Sequence, residues 1–430
     1  MESSISDNGT KGEREKMDKV LVLAGSCVQI ELLGQLKARG LYTILADNNE
    51  NAVAKPYADE FVKVNILDFE AVQNVAVENE VNFLISVCAD QVLLTVAKVS
   101  EDLGLPCYID YKTACLVSDK GNMKDVFEKY GIPSSKHVFM SEIEDDKIVK
   151  MEYPLVVKPV DAYSSKGVRK CCNREELDVF FKEAANVSRS GVVIVEEYVE
   201  GAELTVDFEV VDGKAIFLSA ANTEKVNYAD RFLAFRTRYP AAVSVETIER
   251  IKVIGQKIAD AFELKNTPML MQVLTDGKKE SVLEFSARTG GGAKYLLLKH
   301  MTGFDPITAV IDLTLGKKVD VGEKKSDAKF LTNEFLYAYP SVFDHAEGAD
   351  ELVKEGIVSD YWQYKWQGAE IFNAVTSSDR VASITILADT YEELVEKHNI
   401  AASRIKFIDK DGKDIMRHDL LTDIKELDIL

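Results

Sequence analysis

Short apolar runs alternate with amphipathic stretches over the first hundred residues. The runs are short enough for buried strands and lie at 20–24, 42–46, 61–64 and 81–87. A helical pattern at 28–39 separates the first two runs, and Gly40 follows it, as expected of a helix end. Strands that alternate with helices predict a parallel sheet in an α/β layer.

Beyond residue 114 the pattern changes to longer strands and hairpins. A helix is predicted at 122–130, and strands are predicted at 153–159 and 192–199. The dipeptides Asp212-Gly213 and Asp276-Gly277 each join two apolar runs, which predicts two β-hairpins. This part of the chain therefore differs in architecture from the first.

These changes of pattern divide the chain into four predicted units. The units are a disordered polar tail at 1–16, an α/β domain at 17–113, a central domain at 114–318 with lobes at 114–195 and 196–318, and an α+β domain at 319–430. The second unit resembles half of a Rossmann domain. Its first turn, residues 25–29, lacks the GxGxxG spacing, which argues against a dinucleotide site there.

Charge and cysteine content narrow the class of function. The 430 residues include 52 Lys and Arg against 72 Asp and Glu, giving a net charge of −20. Such a balance argues against general binding of nucleic acids or anionic membranes. No apolar stretch is long enough for a membrane span, and no signal peptide is recognised. The six cysteines form no CxxC pair, so we expect reduced thiols in the cytoplasm and no structural zinc.

The stretch at 281–288 is the strongest candidate for chemistry. It reads as a buried strand, so Glu284, Ser286 and Arg288 share one face. A buried acid beside a buried guanidinium is costly unless other groups pair with both. A metal ion and a phosphate are suitable partners, and the glycines at 290–292 let backbone N–H groups approach an anion.

Upstream residues can complete such a site. Lys158 ends a predicted strand and precedes the small polar loop 164–168, a combination that suits a phosphate tail, although an ordinary hairpin turn explains it as well. Lys120, taken by itself, reads as a surface lysine. Glu196 and Glu203 lie near the end of a strand, where they are either ligand-binding acids or exposed acids of an acidic protein.

Taken in order, these residues resemble the ATP-grasp superfamily over about 18–318. The positions that carry the resemblance are Lys120, Lys158, 164–167, Glu196, Glu203, Gln272, Glu284, Ser286 and Arg288. Within the superfamily the chain resembles the carboxylate–amine ligases, which include the L-amino-acid ligases, biotin carboxylase and the halves of carbamoyl-phosphate synthetase. The resemblance implies an ATP-grasp fold, with a mobile lid in the 114–195 lobe.

The resemblance also implies roles for individual residues. ATP phosphates are assigned to Lys120 and Lys158, the closing loop to Ser164, Ser165, Lys166 and Gly167, adenine to Glu196 and Val199, and ribose to Glu203. Mg²⁺, with Mn²⁺ as the alternative, is assigned to Glu284 with Gln272 and Ser286. Arg288 is expected to steady the transferred phosphoryl group, and Arg288 and Lys158 are the predicted catalytic residues.

Two positions depart from the family pattern. The family usually has an acid twelve residues before the metal-binding Glu, and here 284 − 12 gives Gln272. Two residues after that Glu the family often has Asn, where this chain has Ser286. The predicted metal site has therefore lost one formal negative charge, so a metal would depend more on the ATP phosphates.

The substrate pocket is expected to include arginines and glycines. Arg231 and Arg236 lie in a segment, 227–238, that either clamps a substrate carboxylate or forms a solvated basic loop. Gly291 and Gly292 are expected to border the same pocket.

Three functions fit this sequence. The first is an ATP-dependent ligase that joins a small carboxylic acid, plausibly an amino acid, to an amine through an acyl phosphate. The second uses bicarbonate or a nucleotide intermediate as the acid. The third, suggested by Gln272 and Ser286, is a degenerate nucleotide-binding regulator. The expected partners are small molecules and a second copy of the chain in a homodimer.

Overall fold

The computed structural model describes residues 17–162, 166–228, 231–291, 293–323, 325–374 and 376–430, without the side chains of residues 91, 227, 228 and 231. The predicted tail at 1–16, the loop residues Ser164 and Ser165, Gly292, and the side chain of Arg231 therefore lie outside the described residues. None of the helices in the described ranges has the length and apolar character that crossing a membrane requires.

The predicted strands are present with shifted ends, together with further strands that were not predicted. They are β1 (Lys19–Leu23), β2 (Tyr42–Asp47), β3 (Glu60–Lys63), β4 (Phe83–Ile85), β5 (His137–Met140), β6 (Leu155–Pro159), β7 (Arg169–Cys171), β8 (Val193–Glu197), β9 (Ala202–Val211), β10 (Lys214–Tyr228), β11 (Arg231–Tyr239), β12 (Thr267–Thr275), β13 (Glu280–Ser286), β14 (Phe330–Leu336), β15 (Ser341–Glu347), β16 (Asp360–Gln363), β17 (Glu370–Ile371), β18 (Ala382–Ala388) and β19 (Lys406–Asp409).

Most of the helices cover the faces of the sheets. They are α1 (Val28–Ala38), α2 (Phe69–Glu78), α3 (Asp90–Leu103), α4 (Tyr111–Ser118), α5 (Lys120–Tyr130), α6 (Asp145–Ile148), α7 (Arg174–Val187), α8 (Val245–Ala261), α9 (Lys294–Thr302), α10 (Pro306–Thr314), α11 (Ala349–Lys354) and α12 (Tyr391–Arg404). Short 3₁₀ turns lie at Lys55–Tyr57, Ser377–Asp379 and His418–Leu420.

The first sheet is parallel, as the alternating pattern predicts. Its strand order is β3-β2-β1-β4, and β1 pairs in parallel with β2 and β4. Residues 20–23 of β1 are fully buried, because helices cover both faces of the sheet. Together with the antiparallel sheets that follow, this layer confirms the predicted mixed α/β and α+β class.

A small antiparallel sheet forms the next unit. Its strand order is β5-β8-β6-β7, so β6, which ends in Lys158-Pro159, pairs with β8, which carries Glu196. Helix α7 packs its buried residues Leu177, Phe181 and Ala184 against this sheet. Lys158 and Glu196 lie on neighbouring strands as a result.

A long sheet carries the rest of the central region. Its order is β13-β12-β9-β10-β11-β14-β18-β16, and both predicted hairpins are confirmed, β9 with β10 and β12 with β13. Strands β14, β18 and β16 continue this sheet beyond residue 318, so backbone pairing crosses the predicted domain boundary there. The boundary itself stays a prediction. A separate sheet of order β17-β15-β19 lies in the C-terminal region.

The structure corrects the prediction that Arg236 binds substrate. Residues 231–239 form strand β11 and not a solvated loop, and Arg236 is 0% exposed in the middle of it. The Arg236 guanidinium donates to both carboxylate oxygens of Glu334 at 2.9 and 3.1 Å, to Glu224 at 3.1 Å and to the carbonyl of Thr422. Arg236 therefore joins β11 to β14 and to the C-terminal segment.

We expect Arg236→Met to lower the free energy of unfolding by about 3–5 kcal/mol, because it leaves the Glu334 carboxylate buried without its main partner. Arg174→Met is the matched control, since Arg174 is 43% exposed in its pair with Asp145 and exposed pairs contribute about 0–1 kcal/mol. Urea unfolding at pH 7 measures both variants. Equal losses in the two variants would contradict a structural role for the buried pair.

Candidate functional site

The small antiparallel sheet and the long sheet enclose one large cavity. Its volume is about 580 Å³, within the range of small-molecule sites. Lys158, Glu196 and Val199 line it from one side, and Gln272 and Glu284 from the other. Residues far apart in the sequence therefore meet around one space.

A buried cluster of one acid and two lysines forms one wall of the cavity. Glu196 Oε1 lies 2.6 Å from Lys158 Nζ and 3.3 Å from Lys124 Nζ, and Ser135 Oγ donates to Glu196 Oε2 at 2.8 Å. Burial by itself raises the pKa of Glu196, but the ammonium groups of Lys158 and Lys124 lower it to about 2. The carboxylate is thus ionised and committed to the lysines.

Lys124 is a member of this cluster that the sequence reasoning missed. It lies on the buried face of α5, and burial lowers its pKa to about 8 despite the attraction of Glu196. The only available signal was a lysine on the apolar side of a helix that also carries Met123 and Phe127. A buried lysine at that position indicates an acidic partner from elsewhere in the fold.

Lys120 connects three segments at the cavity. It is the first residue of α5, which Asp119 caps by accepting from the backbone N–H of Asn122. Lys120 Nζ donates to the carbonyl of Ala162 at 3.0 Å and lies 3.3 Å from Glu284 Oε2. Lys120, with a smaller effect of Lys158, lowers the pKa of the Glu284 carboxyl. The interaction keeps Glu284 ionised, as a metal ligand requires.

The predicted metal ligands lie on adjacent strands. Gln272 of β12 and Glu284 of β13 are direct neighbours in the hairpin, and both line the cavity. Ser286 differs, because its hydroxyl donates to Asp90 Oδ1 at 2.9 Å. In the described ranges no three or more His, Cys, Asp or Glu side chains are grouped to hold a metal ion. The oxygen donors of Glu284 and Gln272 suit a hard cation such as Mg²⁺, which would need further oxygens from a phosphate.

Arg288 is paired with an acid at the start of helix α3. Its Nε donates to Asp90 Oδ1 at 2.5 Å, and Nη2 bonds to the other oxygen of the same carboxylate. Burial raises the pKa of Asp90, but the Arg288 guanidinium outweighs it and holds that pKa below its usual value. The sequence reasoning missed Asp90, although it follows the predicted strand at 81–87, and the ends of parallel strands commonly carry site residues.

Two further predicted nucleotide contacts line the cavity. Val199 and Glu203 both face it, and Glu203 forms an ion pair with Lys225, which the sequence reasoning also missed. The ring of Tyr198 is stacked on that of Phe232, with centroids 6.4 Å apart and planes 12° apart. Lys170 Nζ lies 3.6 Å from the Tyr198 ring centroid. This end of the cavity therefore offers flat aromatic surface beside a cation, which suits a planar ligand.

The described part of the predicted closing loop also borders the cavity. Lys166 lines it, and Gly167 has φ +77, a left-handed conformation. A Cβ on Gly167 would lie 3.1 Å from the Pro159 ring, so the turn requires glycine on both counts. Gly291 lies against Arg288, since a Cβ there would come within 4.0 Å of Arg288 Nη1.

Comparisons with known proteins agree with this geometry. Residues 151–295 match the family model described as an ATP-grasp domain. The chain is 25% identical over 274 residues to the carbamoyl phosphate synthase large chain of Pyrococcus furiosus, covering 60% of this chain and 25% of that relative. It is 26% identical over 181 residues to D-alanine–D-alanine ligase of Aromatoleum aromaticum, covering 41% of this chain and 58% of that relative. The chain thus corresponds to only part of the length of each relative.

A solved structure extends the likeness to nearly the whole fold. The crystal structure of L-amino acid ligase from Bacillus licheniformis superposes with a TM-score of 0.76 at 20% identity, covering 92% of this chain and all of that one. At 20% sequence identity this structural likeness establishes the fold alone. The family match and the named ligases confirm the resemblance to the ATP-grasp superfamily and to its ligase type.

We expect Glu196→Gln to destabilise the protein by about 3–5 kcal/mol at pH 7, because it leaves Lys124 and Lys158 buried without a counter-charge. Glu197→Gln is the matched control, since the adjacent Glu197 pairs with the exposed Lys136 and such pairs contribute about 0–1 kcal/mol. Urea unfolding measures both variants. A loss no larger than that of Glu197→Gln would contradict the cluster's role.

The stability lost in Glu196→Gln should also depend on pH. The folded-state pKa of Glu196, about 2, lies below its ordinary value of 4.5, so its stabilising contribution is complete above pH 4.5 and is lost as the pH falls toward 2. The difference between the wild-type protein and Glu196→Gln should therefore narrow from pH 5 to pH 3. A difference that stays constant or widens would show that ionised Glu196 is not its source.

Proposed function

We propose that this chain, which contains an ATP-grasp domain at residues 151–295, is an ATP-dependent carboxylate–amine ligase. It activates a small carboxylic acid as an acyl phosphate and joins it to an amine, releasing ADP and phosphate. The observation that carries the proposal is the meeting of Lys120, Lys158, Glu196 and Glu284 around one cavity of nucleotide size.

The lysines of the cavity supply positive charge for the phosphates. Lys120, Lys158 and Lys166 present ammonium groups to the same space, and Glu196 holds Lys158 in place there. Phosphoryl transfer depends mainly on positioning and on neutralising the charge of the phosphoryl oxygens. Glu284 and Gln272 would hold Mg²⁺, which when bound neutralises phosphate charge as well.

The reaction has two balanced steps. A carboxylate oxygen of the acid attacks the γ-phosphorus of ATP, and the bond to ADP breaks. The amine nitrogen then attacks the acyl carbon, the C–N bond forms, phosphate leaves with the C–O electron pair, and the amine gives up one proton. Arg288, bordering the Gly290–Gly291 turn, is placed to steady the acyl-phosphate oxygens, for which it must share or release its bond to Asp90.

Amino acids are the favoured substrates, because two of the proteins to which the chain is similar are named as ligases of amino acids. Bicarbonate is the second candidate acid, since another is a carbamoyl phosphate synthase. The homodimer and the cytoplasmic location stay predictions.

The activity test combines the protein with ATP, Mg²⁺ and a panel of amino acids, with bicarbonate plus ammonium as a separate arm. We expect ADP, phosphate and a condensed amide by mass spectrometry, and at least about a 100-fold lower kcat/KM in Lys158→Ala, which loses a phosphate-neutralising charge. Lys182→Ala, at an exposed site on α7, should match the wild-type protein. AMP as the nucleotide product, or full activity of Lys158→Ala, would exclude the proposed route.

A second prediction concerns the missing metal ligand. Gln272→Glu places a carboxylate opposite Glu284, so we expect the Mg²⁺ concentration for half-maximal ATP turnover to fall several-fold, since Mg²⁺ prefers charged oxygen ligands. Asn74→Asp, which adds the same charge at an exposed position on α2, should leave that concentration unchanged. An unchanged or higher concentration in Gln272→Glu would mean that Gln272 does not contact the metal.

A further inference from the structure

The central strand β9 has a polar face that runs deeper than the nucleotide cavity. Its burial pattern places Leu204, Val206, Phe208 and Val210 in the apolar core. The alternate residues, Glu203, Thr205, Asp207 and Glu209, therefore share the opposite face. Glu203 lines the nucleotide cavity, but Asp207 and Glu209 lie beyond its lining.

Glu209 is a buried acid without a partner. It is 0% exposed, and neither of its carboxylate oxygens has a hydrogen-bond partner in the described part of the chain. Burial accordingly raises the pKa of Glu209 to about 8, so at pH 7 the group is protonated until a cation pairs with it. Buried polar groups in folded proteins are nearly always hydrogen-bonded, and a carboxylate left alone is costly. Such a group is expected where a ligand supplies the missing donors.

Asp207 stands beside it and is also poorly satisfied. It is 8% exposed and accepts one long hydrogen bond, from Ser219 Oγ at 3.3 Å. Burial raises the pKa of Asp207 to about 6, although Lys294 opposes the rise. Two neighbouring carboxylates on one face of the strand thus receive fewer hydrogen bonds than their oxygens can accept.

Both carboxylates line a second, smaller cavity. Its volume is about 10 Å³, room for about one water-sized group. Arg288, Gly290 and Lys294 form its opposite walls. The turn covers the acid closely, since a Cβ on Gly290 would lie 3.7 Å from Asp207 Oδ1.

The cations around this cavity donate their hydrogen bonds to other groups, although Lys294 also lowers the pKa of Asp207. Lys294 Nζ donates to Thr205 Oγ1 at 2.8 Å, on the nucleotide side of Asp207. Arg288 is bonded through Nε and Nη2 to Asp90 and through Nη1 to the carbonyl of Thr289 at 2.6 Å. The cavity therefore has two hydrogen-bond acceptors, space for one small group and no cation of its own bonded to Glu209.

We propose that this small cavity holds the ammonium group of the amine substrate, with Asp207 and Glu209 as its acceptors. The inference rests on the proposed ligase function and names the part of the site that takes the amine. A primary ammonium group is of water size and carries N–H donors and one positive charge, which matches what the two carboxylates lack. Arg288, which lines the same cavity, is the residue assigned to the acyl phosphate, so the bound group lies near the carbon to be attacked. Before the attack the ammonium group gives one proton to a carboxylate of the cavity, which frees the nitrogen lone pair.

A binding test needs no activity. The thermal unfolding midpoint of the full chain is measured at pH 7 in NaCl, KCl, ammonium chloride or methylammonium chloride at one ionic strength. We expect the ammonium salts to raise the midpoint of the wild-type protein by about 1–2 °C over NaCl at ten times the dissociation constant. In Glu209→Gln and in Asp207→Asn this rise should disappear, and Glu249→Gln, on the exposed side of α8, should keep it.

Comparing the salts distinguishes a free ammonium ion from the ammonium end of a larger amine. A rise with both ammonium and methylammonium supports the ammonium end of a larger amine, and a rise with ammonium alone supports free ammonium as the substrate. An equal rise with KCl would show that N–H donors are not recognised and overturns the proposal. The proposal is also overturned if no salt raises the midpoint of the wild-type protein, or if the rise persists in both Glu209→Gln and Asp207→Asn.

A kinetic test links the cavity to the reaction. In Glu209→Gln and Asp207→Asn we expect the KM for the amine to rise at least ten-fold, with the KM values for ATP and for the acid unchanged. Equal changes in all three KM values would indicate a general structural defect and count against the assignment. A wild-type protein without ligase activity would refute the proposed function and leave the salt-specific binding test to decide the cavity.

Discussion

The burial of Glu196 between Lys158 and Lys124 is the interaction on which the rest of the site depends. It joins β8, β6 and α5, three elements that are separate in the sequence. An acid can be buried at that point only because two lysines accompany it, and each lysine is held by the same acid. The result is a lysine held in one position at the wall of the cavity, with little conformational freedom left to lose on binding a ligand.

A second ion pair fixes the opposite side of the cavity. Arg288, just beyond β13, is bonded to Asp90 at the start of α3, and Ser286 donates to the same carboxylate. Helix α3 is thereby joined to the end of the strand that carries Glu284. The Asp90 carboxylate also lies close enough to Glu284 to oppose the lowering of its pKa.

The polar face of β9 joins the two cavities. Glu203 lines the large cavity and Glu209 the small one, with Lys294 bonded between them at Thr205. The same alternation that buries Phe208 in the core turns every other side chain of the strand toward the cavities. The strand therefore contributes to the core with one face and to the cavities with the other.

Local pattern was enough to predict the alternating elements of the first unit, the two hairpins and the strands that carry Lys158, Glu196, Gln272 and Glu284. Alternation and turn residues are local properties, so the hairpin could be read from the Asp276-Gly277 turn. The pairing of Gln272 with Glu284 could not, because it depends on a register shift between Gln272 and Val273. The ion-pair partners of the buried charged residues could be identified only from the three-dimensional fold. The ion-pair partners are Asp90 for Arg288, Lys124 for Glu196 and Glu334 for Arg236. In each pair the two residues lie on different elements that packing brings together. Their pairing leaves no local pattern, because an ion pair depends on distance in space and burial, neither of which sequence spacing records.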